Sequence, residues 1–270
     1  MKSMSTHNPL KLLVSGPTGR MGRAVLESVE AASETFSVAA TLARSFRDAS
    51  GGSQGASQSA FKSVQHCKDS GFDCLIDFSL PDASLAYLKQ CAALKRPAVV
   101  GTTGFSADQL AEIHQLARSI PILLSANMSV GVNLCFHVLD QMSRVMGADA
   151  DIEIVETHHH HKLDAPSGTA LRMGEVVASA QGHTLDEVAV IGRPRGSMAR
   201  ERGEIGISSI RAGDVVGDHT VVFAHEGERI ELTHKATSRA TFAQGALRAA
   251  AWIVDKPGGL YDMQDVLGLR

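Results

Sequence analysis

The feature that most constrains the fold is a glycine-rich turn between a short apolar run and an amphipathic helix near the N-terminus. Residues 11–15 (Lys-Leu-Leu-Val-Ser) form a short, mainly apolar run, Gly16, Gly19 and Gly22 mark the turn, and a helical pattern covers residues 20–32. This context lets the backbone approach a pyrophosphate and points a helix N-terminus at it. Because the spacing differs from G-x-G-x-x-G, the turn alone leaves nucleotide binding and a plain connection both open.

Apolar runs and helical patterns alternate through the rest of the first half. The further runs cover residues 36–45, 72–79, 97–100 and 120–124, and the helical patterns between them cover 81–94 and 106–118. This alternation predicts a doubly wound parallel sheet with right-handed crossovers, whose ligands bind outside the carboxyl ends of the strands. The loops at Gly16, Arg44, Gly101 and Ser125 then open onto one edge, which favours a dinucleotide site.

The end of the second strand indicates which dinucleotide binds. An acidic residue there accepts hydrogen bonds from the ribose of NAD, but the strand ends Thr41-Leu-Ala-Arg-Ser45 without a carboxylate. Arg44 and Ser45 are suited to a 2′-phosphate, so NADPH is the preferred cofactor and NADH a possible one. The alternative, that Arg44 is a solvated loop residue, stays open.

The second half has a different pattern. A helix is predicted over residues 130–146, with a core stripe formed by Cys135, Val138, Leu139, Met142, Val145 and Met146. Strand-like stretches at 204–211, 219–225 and 228–234 have no helix between them, and Ile230, Leu232 and His234 mark a buried face of the last one.

The predicted fold class is therefore α/β. It combines an N-terminal Rossmann-type doubly wound parallel sheet, residues 1–129, with an α+β C-terminal domain containing a mainly antiparallel open sheet, residues 130–238. The last helix and tail, residues 239–270, are expected to return to the first domain.

The segment Glu156-Thr-His-His-His-His-Lys-Leu-Asp-Ala-Pro-Ser-Gly-Thr-Ala170 predicts an active site. Ser167 is a good N-cap, so Gly168 and Thr169 lie in a first helical turn that can bind carboxylate or phosphate. The proton donors His158 to His161 and Lys162 precede it. A metal site is disfavoured, because successive histidines on a strand point to opposite faces; a solvated loop is the remaining alternative.

Composition excludes several function classes. The net charge of -3 over 270 residues offers no electrostatic footprint for nucleic acid, and no stretch is apolar for long enough to span a membrane. Cys67, Cys74, Cys91 and Cys135 form no CxxC pair, which suits a reducing cytoplasm. The polar N-terminus shows no secretion signal.

Five segments together resemble the 4-hydroxy-tetrahydrodipicolinate reductase (dihydrodipicolinate reductase) family. They are Gly16-Pro-Thr-Gly-Arg-Met-Gly22, Val100-Gly-Thr-Thr-Gly-Phe105, Ala126-Asn-Met-Ser-Val-Gly-Val-Asn133, Arg211-Ala-Gly-Asp-Val-Val-Gly-Asp-His219 and, most specifically, the histidine segment 156–170. The resemblance implies an oxidoreductase that reduces 4-hydroxy-tetrahydrodipicolinate, a small cyclic dicarboxylate, with NAD(P)H in diaminopimelate and lysine biosynthesis. A non-catalytic NAD(P)H-binding regulatory module and another nicotinamide-dependent dehydrogenase are the alternatives.

The resemblance also implies roles for individual residues. His158 and Lys162 match catalytic positions, with the proton donor between them left open, and His159, Gly168, Thr169 and Arg239 match substrate-binding positions. Cofactor positions are Gly16, Pro17, Thr18, Gly19, Arg20, Met21, Gly101, Thr102, Thr103, Ser125, Ala126, Asn127 and Met128. Many members carry Glu then Arg after the second strand, whereas Ala43 and Arg44 stand here, which again favours NADPH. A homotetramer built through the second domain's sheet is expected, and no metal.

Overall fold

A computed structural model describes residues 8–43, 60–61, 64, 70–193, 195–196 and 199–270. The chain divides into two compact units. Unit 1 comprises residues up to Ser129 together with Ala240–Gly268, and unit 2 comprises Val130–Arg239.

The described residues form twelve strands and eight α-helices. The strands are β1 (Leu10–Ser15), β2 (Phe36–Leu42), β3 (Ala60–Phe61), β4 (Cys74–Asp77), β5 (Ala98–Val100), β6 (Pro121–Leu124), β7 (Asp151–His158), β8 (Ala189–Ile191), β9 (Ile205–Arg211), β10 (Gly217–His225), β11 (Glu228–Ala236) and β12 (Gly259–Tyr261). The helices are α1 (Arg20–Ala31), α2 (Pro81–Leu94), α3 (Ala107–Ala117), α4 (Val130–Met146), α5 (Gly168–Ala180), α6 (Leu185–Val188), α7 (Ala240–Ile253) and α8 (Met263–Leu267). None of these described helices has the length and apolarity needed to cross a bilayer.

Unit 1 contains a seven-stranded sheet in the order β12-β6-β5-β4-β1-β2-β3, and every pairing in it is parallel. Its central strands are buried on both faces, which explains their continuous apolar sequences. The chain order reverses between β1 and β4, and ligands of such sheets bind at that point. The predicted parallel sheet is confirmed.

Unit 2 contains a five-stranded sheet in the order β11-β10-β7-β9-β8. β10 is antiparallel to both neighbours, whereas β7 with β9 and β8 with β9 are parallel. The fold class is confirmed, and the sheet is mixed. The parallel part arises because α5 and α6 lie in the connection that leaves β7, and a crossover of that kind returns the chain in the same direction.

Two predicted core positions of unit 2 are wrong. Val145 is 84% exposed, because it lies six residues beyond the buried Leu139, about 240° around the helix. Ile230 is 45% exposed, whereas Leu232 and His234 on the same face of β11 are half-buried. β11 is an edge strand, so its side chains have neighbours on one side only.

Candidate active site

The turn after β1 folds tightly onto the first turn of α1. Gly16 adopts a positive φ of 60°, and a Cβ on Gly22 would lie only 2.0 Å from the carbonyl oxygen of Gly16. Both positions therefore need glycine. Gly19 is the N-cap of α1, with neither a side-chain cap nor an acidic residue in the first turn. The helix N-terminus keeps its positive end, which suits an anionic ligand.

A buried carboxylate joins the loops that follow β1, β4 and β5. The hydroxyl of Ser15 donates to Asp77, and Thr102 Oγ1 donates to Asp77 Oδ2 at 3.0 Å. The backbone N–H of Phe78 then donates to the Ser15 hydroxyl at 3.1 Å. Gly101 packs so closely on the Phe78 ring that a Cβ would lie 2.1 Å from it. Asp77 thus fixes three loops at the switch point, a role that the sequence did not predict.

The loop after β6 is fixed by its own polar groups. Ser125 Oγ donates to the carbonyl of Asn127 at 2.8 Å, and Asn127 Oδ1 accepts the N–H of Ser129 at 2.9 Å. The Met128 carbonyl occupies the space that a Cβ on Gly245 of α7 would need. The predicted cofactor positions thus lie in the loops after β1, β5 and β6 or at the start of α1, except Arg44, which lies outside the described residues.

These loops fit a nicotinamide dinucleotide. Gly16, Gly19 and Gly22 bring no side chains to the turn at the uncapped start of α1, and such a backbone surface accommodates a pyrophosphate.

Unit 2 places a buried carboxylate at the centre of the histidine segment. Glu156 on β7 is 0% exposed, and its two oxygens accept a bidentate pair of hydrogen bonds from Arg211 at 2.8 and 2.9 Å. It also accepts from His158 Nδ1 at 2.5 Å and from the N–H of Ser167 at 3.2 Å. Burial raises the pKa of Glu156, but hydrogen bonds from Arg211, Ser209 and His158 outweigh it and lower the pKa to about 2. The carboxylate is therefore ionised at neutral pH.

The ring of His158 is enclosed on three sides. Glu156 holds Nδ1, and the His219 ring meets the His158 ring edge-on with centroids 5.1 Å apart. On the third side, a Cβ on Gly217 would lie 2.9 Å from Nε2. Only 8% of His158 is exposed, so its orientation is set by these neighbours.

His219 connects this cluster to the start of α5. Its Nε2 lies 2.9 Å from Ser167 Oγ, and that hydroxyl also accepts the N–H of Ala170 as the N-cap of the helix. Burial lowers the pKa of His219, and His158 adds to this, so the pKa falls to about 4. His219 is therefore neutral at physiological pH.

The loop between β7 and α5 carries the side chain of Lys162. Lys162 is half-buried, and its ammonium lies 2.8 Å from Asp164 Oδ2. Burial raises the pKa of Asp164, but the hydrogen bond from Lys162 outweighs it and the net pKa is lowered. Backbone N–H groups of His159 and His160 donate to the carbonyls of Val215 and Gly213, so residues 212–215 support the loop.

The remaining predicted substrate positions lie at two places. Gly168 is exposed and Thr169 half-buried in the first turn of α5, as the N-cap prediction requires. Arg239 is half-buried in the turn just before α7, and within the described part of the chain its guanidinium has no carboxylate partner. Those same described residues contain no cluster of potential metal ligands.

Glu156, Arg211, Gly217 and His219 were assigned no role from the sequence. Glu156 could have been found, since it lies two residues before His158 on an alternating strand and must share its face. The other three lie in the segment 211–219, and only strand pairing brings them to His158.

Family models match both parts of the chain. The model "Dihydrodipicolinate reductase, N-terminus" matches residues 10–128, and "Dihydrodipicolinate reductase, C-terminus" matches residues 131–267. The chain belongs to the dihydrodipicolinate reductase family.

Members of this family resemble the chain over nearly its whole length. A 4-hydroxy-tetrahydrodipicolinate reductase of Pseudomonas fluorescens Pf-5 is 50% identical over 96% of this chain and 99% of its own, and one from Saccharophagus degradans is 50% identical with the same coverage. The dipicolinate-bound dihydrodipicolinate reductase of Paenisporosarcina sp. TG-14 has the same fold, with a TM-score of 0.76 and 22% identity over 95% of this chain and 98% of its own. The predicted family and its class, a nicotinamide-dependent oxidoreductase, are confirmed.

Proposed function

We propose that this reductase converts 4-hydroxy-tetrahydrodipicolinate to tetrahydrodipicolinate with NAD(P)H, and that His158, Lys162 and the start of α5 form its substrate site. The proposal rests chiefly on one observation. A single buried carboxylate, Glu156, holds the side chain of His158 and the backbone at Ser167, where α5 begins. A proton-carrying ring and an anion-binding helix start are thereby fixed together.

The substrate's two carboxylates need fixed positive partners. The start of α5 at Gly168 and Thr169 offers one, because the positive end of the helix dipole lies there. Lys162 and His159 lie on the loop before it, and Arg239 supplies a guanidinium without a carboxylate partner in the described structure. A family member of known structure binds dipicolinate, which is also a cyclic dicarboxylate.

Since the product lacks the 4-hydroxyl, the conversion releases that group as water, and the reduction needs a proton at the ring carbon next to the reduced one. A bound nicotinamide supplies the hydride. Lys162, beside Asp164, and His158, beside Glu156, are the two groups that can supply the proton. A positioned acid of this kind contributes roughly 10²–10⁴-fold to the rate.

The test is an assay with freshly generated substrate, following the absorbance of NADPH near 340 nm. We expect His158→Ala and Lys162→Ala each to lower kcat by about 10²–10⁴-fold while NADPH still binds. The exposed Lys89→Ala, whose partner Glu112 lies on another helix of unit 1, is the matched control. Wild-type turnover in both site variants would contradict the residue assignment.

NADPH is the proposed preferred cofactor. The support is chemical: no carboxylate ends the second strand, and Arg44 can pair with a 2′-phosphate. We expect Arg44→Ala to weaken NADPH binding much more than NADH binding, with both affinities measured by titration. An equal loss for the two cofactors would contradict a contact between Arg44 and the phosphate.

A homotetramer in the cytoplasm completes the proposal. The edge strand β11 presents Ile230 to solvent, and Cys74, Cys91 and Cys135 are free thiols, as suits a reducing compartment. Light scattering coupled to size-exclusion chromatography should give four times the chain mass of 28.6 kDa. A monomer mass at micromolar concentration would contradict it.

A further inference from the structure

We infer that Glu156 and Gly217 are positioning residues of the reaction: Glu156 fixes which nitrogen of His158 carries the permanent proton, and Gly217 keeps the space that the other nitrogen needs. The inference rests on the proposed role of His158. It adds two residues that do not themselves touch the substrate.

The first part follows from the hydrogen bond at Nδ1. A carboxylate with Arg211 on both of its oxygens is an acceptor only, so His158 Nδ1, 2.5 Å from Glu156 Oε2, must be the donor. With Nδ1 bearing a proton in both charge states of the ring, only Nε2 can gain or lose one. Any proton that His158 exchanges with the substrate therefore moves through Nε2.

The second part follows from the strand next to β7. Gly217 begins β10, on the same face as His219, and a Cβ there would lie 2.9 Å from Nε2 and 3.3 Å from Cδ2 of His158. Contacts below 3 Å do not persist, so the ring would have to move. Movement is opposed by Glu156 at Nδ1 and by the His219 ring, and it would carry Nε2 away from its working position.

Gly217→Ala is a suitable probe because Gly217 does not adopt a positive φ. The strand backbone accepts alanine, and glycine is otherwise the poorer residue in a strand. We expect Gly217→Ala to fold and to lower kcat by about 10²-fold, as a displacement of about 1 Å does in other active sites. KM for NADPH should be unchanged, since the substitution lies in unit 2.

Glu156→Gln tests the other residue. It removes the negative charge that requires a donor at Nδ1, so His158 can adopt the other tautomer, and we expect kcat to fall by at least about 10²-fold. Glu153→Gln is the matched control. Glu153 lies on the same strand and also pairs with arginines, Arg193 and Arg200, but it faces the opposite side of the sheet. Its kcat should stay within about twofold of wild type.

A double-mutant cycle separates a positioning role from a general structural one. In a His158→Ala background there is no ring to displace or orient, so Gly217→Ala should cause no further loss of kcat. Glu156→Gln should cause a much smaller loss there than in the wild-type background, and what is left reflects its contact with the N–H of Ser167. Losses that multiply with that of His158→Ala would overturn the inference. Since Glu156→Gln also leaves Arg211 without its carboxylate, Gly217→Ala carries the test if the first variant does not fold.

Failure of the proposed function gives a different result. If His158→Ala alone retains wild-type turnover, the proposed role of His158 is wrong. The double-mutant cycle then has no loss of kcat at His158 with which to compare the other variants. If His158→Ala is impaired but Gly217→Ala turns over like wild type, His158 keeps its role and the positioning inference for Gly217 is wrong.

Discussion

The proposed cofactor loops of unit 1 and the histidine cluster of unit 2 are built from different parts of the chain, backbone in the first and side chains in the second. In unit 1 the surface at the start of α1 is made of backbone: Gly16 and Gly22 lie in contact, and the helix start has no side-chain cap. In unit 2 it is made of ionisable side chains, with Glu156, Arg211 and His158 in direct contact. The stability of the first unit should respond most to added side-chain volume, and that of the second to charge and pH.

This difference has a physical origin. Backbone N–H groups and helix dipoles do not titrate, so a site built from them has the same charge over the whole physiological pH range. Buried side-chain networks gain stronger hydrogen bonds in a low dielectric, but each member becomes costly once its protonation state changes. The side chains of unit 2 can therefore transfer protons, but the stability of the unit depends on pH.

Acidification should produce the largest contrast. The folded pKa of His219 is about 4 against an ordinary 6.5, and that of Glu156 is about 2 against 4.5. In both windows the unfolded chain binds more protons, so unit 2 should lose stability as the pH falls from 6.5 to 4 and again from 4.5 to 2. Each loss should amount to about 3 kcal/mol.

The loss of stability can be measured in each unit separately by amide hydrogen exchange, corrected for intrinsic rates, in peptides covering β7 and β1. His219→Gln should remove the upper window in β7, whereas the exposed His114→Gln on α3 should change neither. Equal losses in β7 and β1 would show that the two sites do not differ as described.

Added volume should affect unit 1 more. Gly22→Ala places a Cβ 2.0 Å from a backbone carbonyl, which cannot move without opening the turn, and should cost about 1–3 kcal/mol of stability together with most of the NADPH affinity. At the matched helical glycine of unit 2, Gly174, a Cβ would meet the flexible end of Leu185 at 2.8 Å and would make ordinary contact with Ile207 Cδ1 at 3.5 Å.

For Gly174→Ala the gain in helix propensity, about 0.5–1 kcal/mol, should offset the displacement of Leu185. Urea unfolding midpoints of the two variants provide the comparison. A neutral Gly22→Ala would mean that the turn tolerates volume after all.

The smallest expected effect is a difference in stability between variants at two N-caps. Ser167→Ala should cost about 1–2 kcal/mol, because its buried hydroxyl also serves His219. Ser106→Ala at the exposed start of α3 should cost about 0.5–1 kcal/mol, since that capping box is solvated. Thermal unfolding of both variants tests the ranking, and the reverse order would contradict a structural role for the contact between Ser167 and His219.

Much of the fold was readable from local patterns. Pro81 and the helical pattern gave the bounds of α2, the apolar stripe gave those of α4, and Ser167 was identified as the N-cap of α5; all three are confirmed. β8 and β12 were missed, because three residues carry no measurable periodicity. β2 ends at Leu42, and residues 44–45 of the predicted strand lie outside the described residues.

The sequence by itself determined the kind of unit each half forms and pointed to the residues proposed to carry protons and bind anions, because backbone preference, helix capping and apolar period are local properties. Only the tertiary structure decided which groups surround those residues. His219 and Gly217 are about 60 positions from His158 in the chain, and the pairing of β7 with β10 puts them against its ring. Strand register depends on the packing of a whole sheet, so no local pattern contains it.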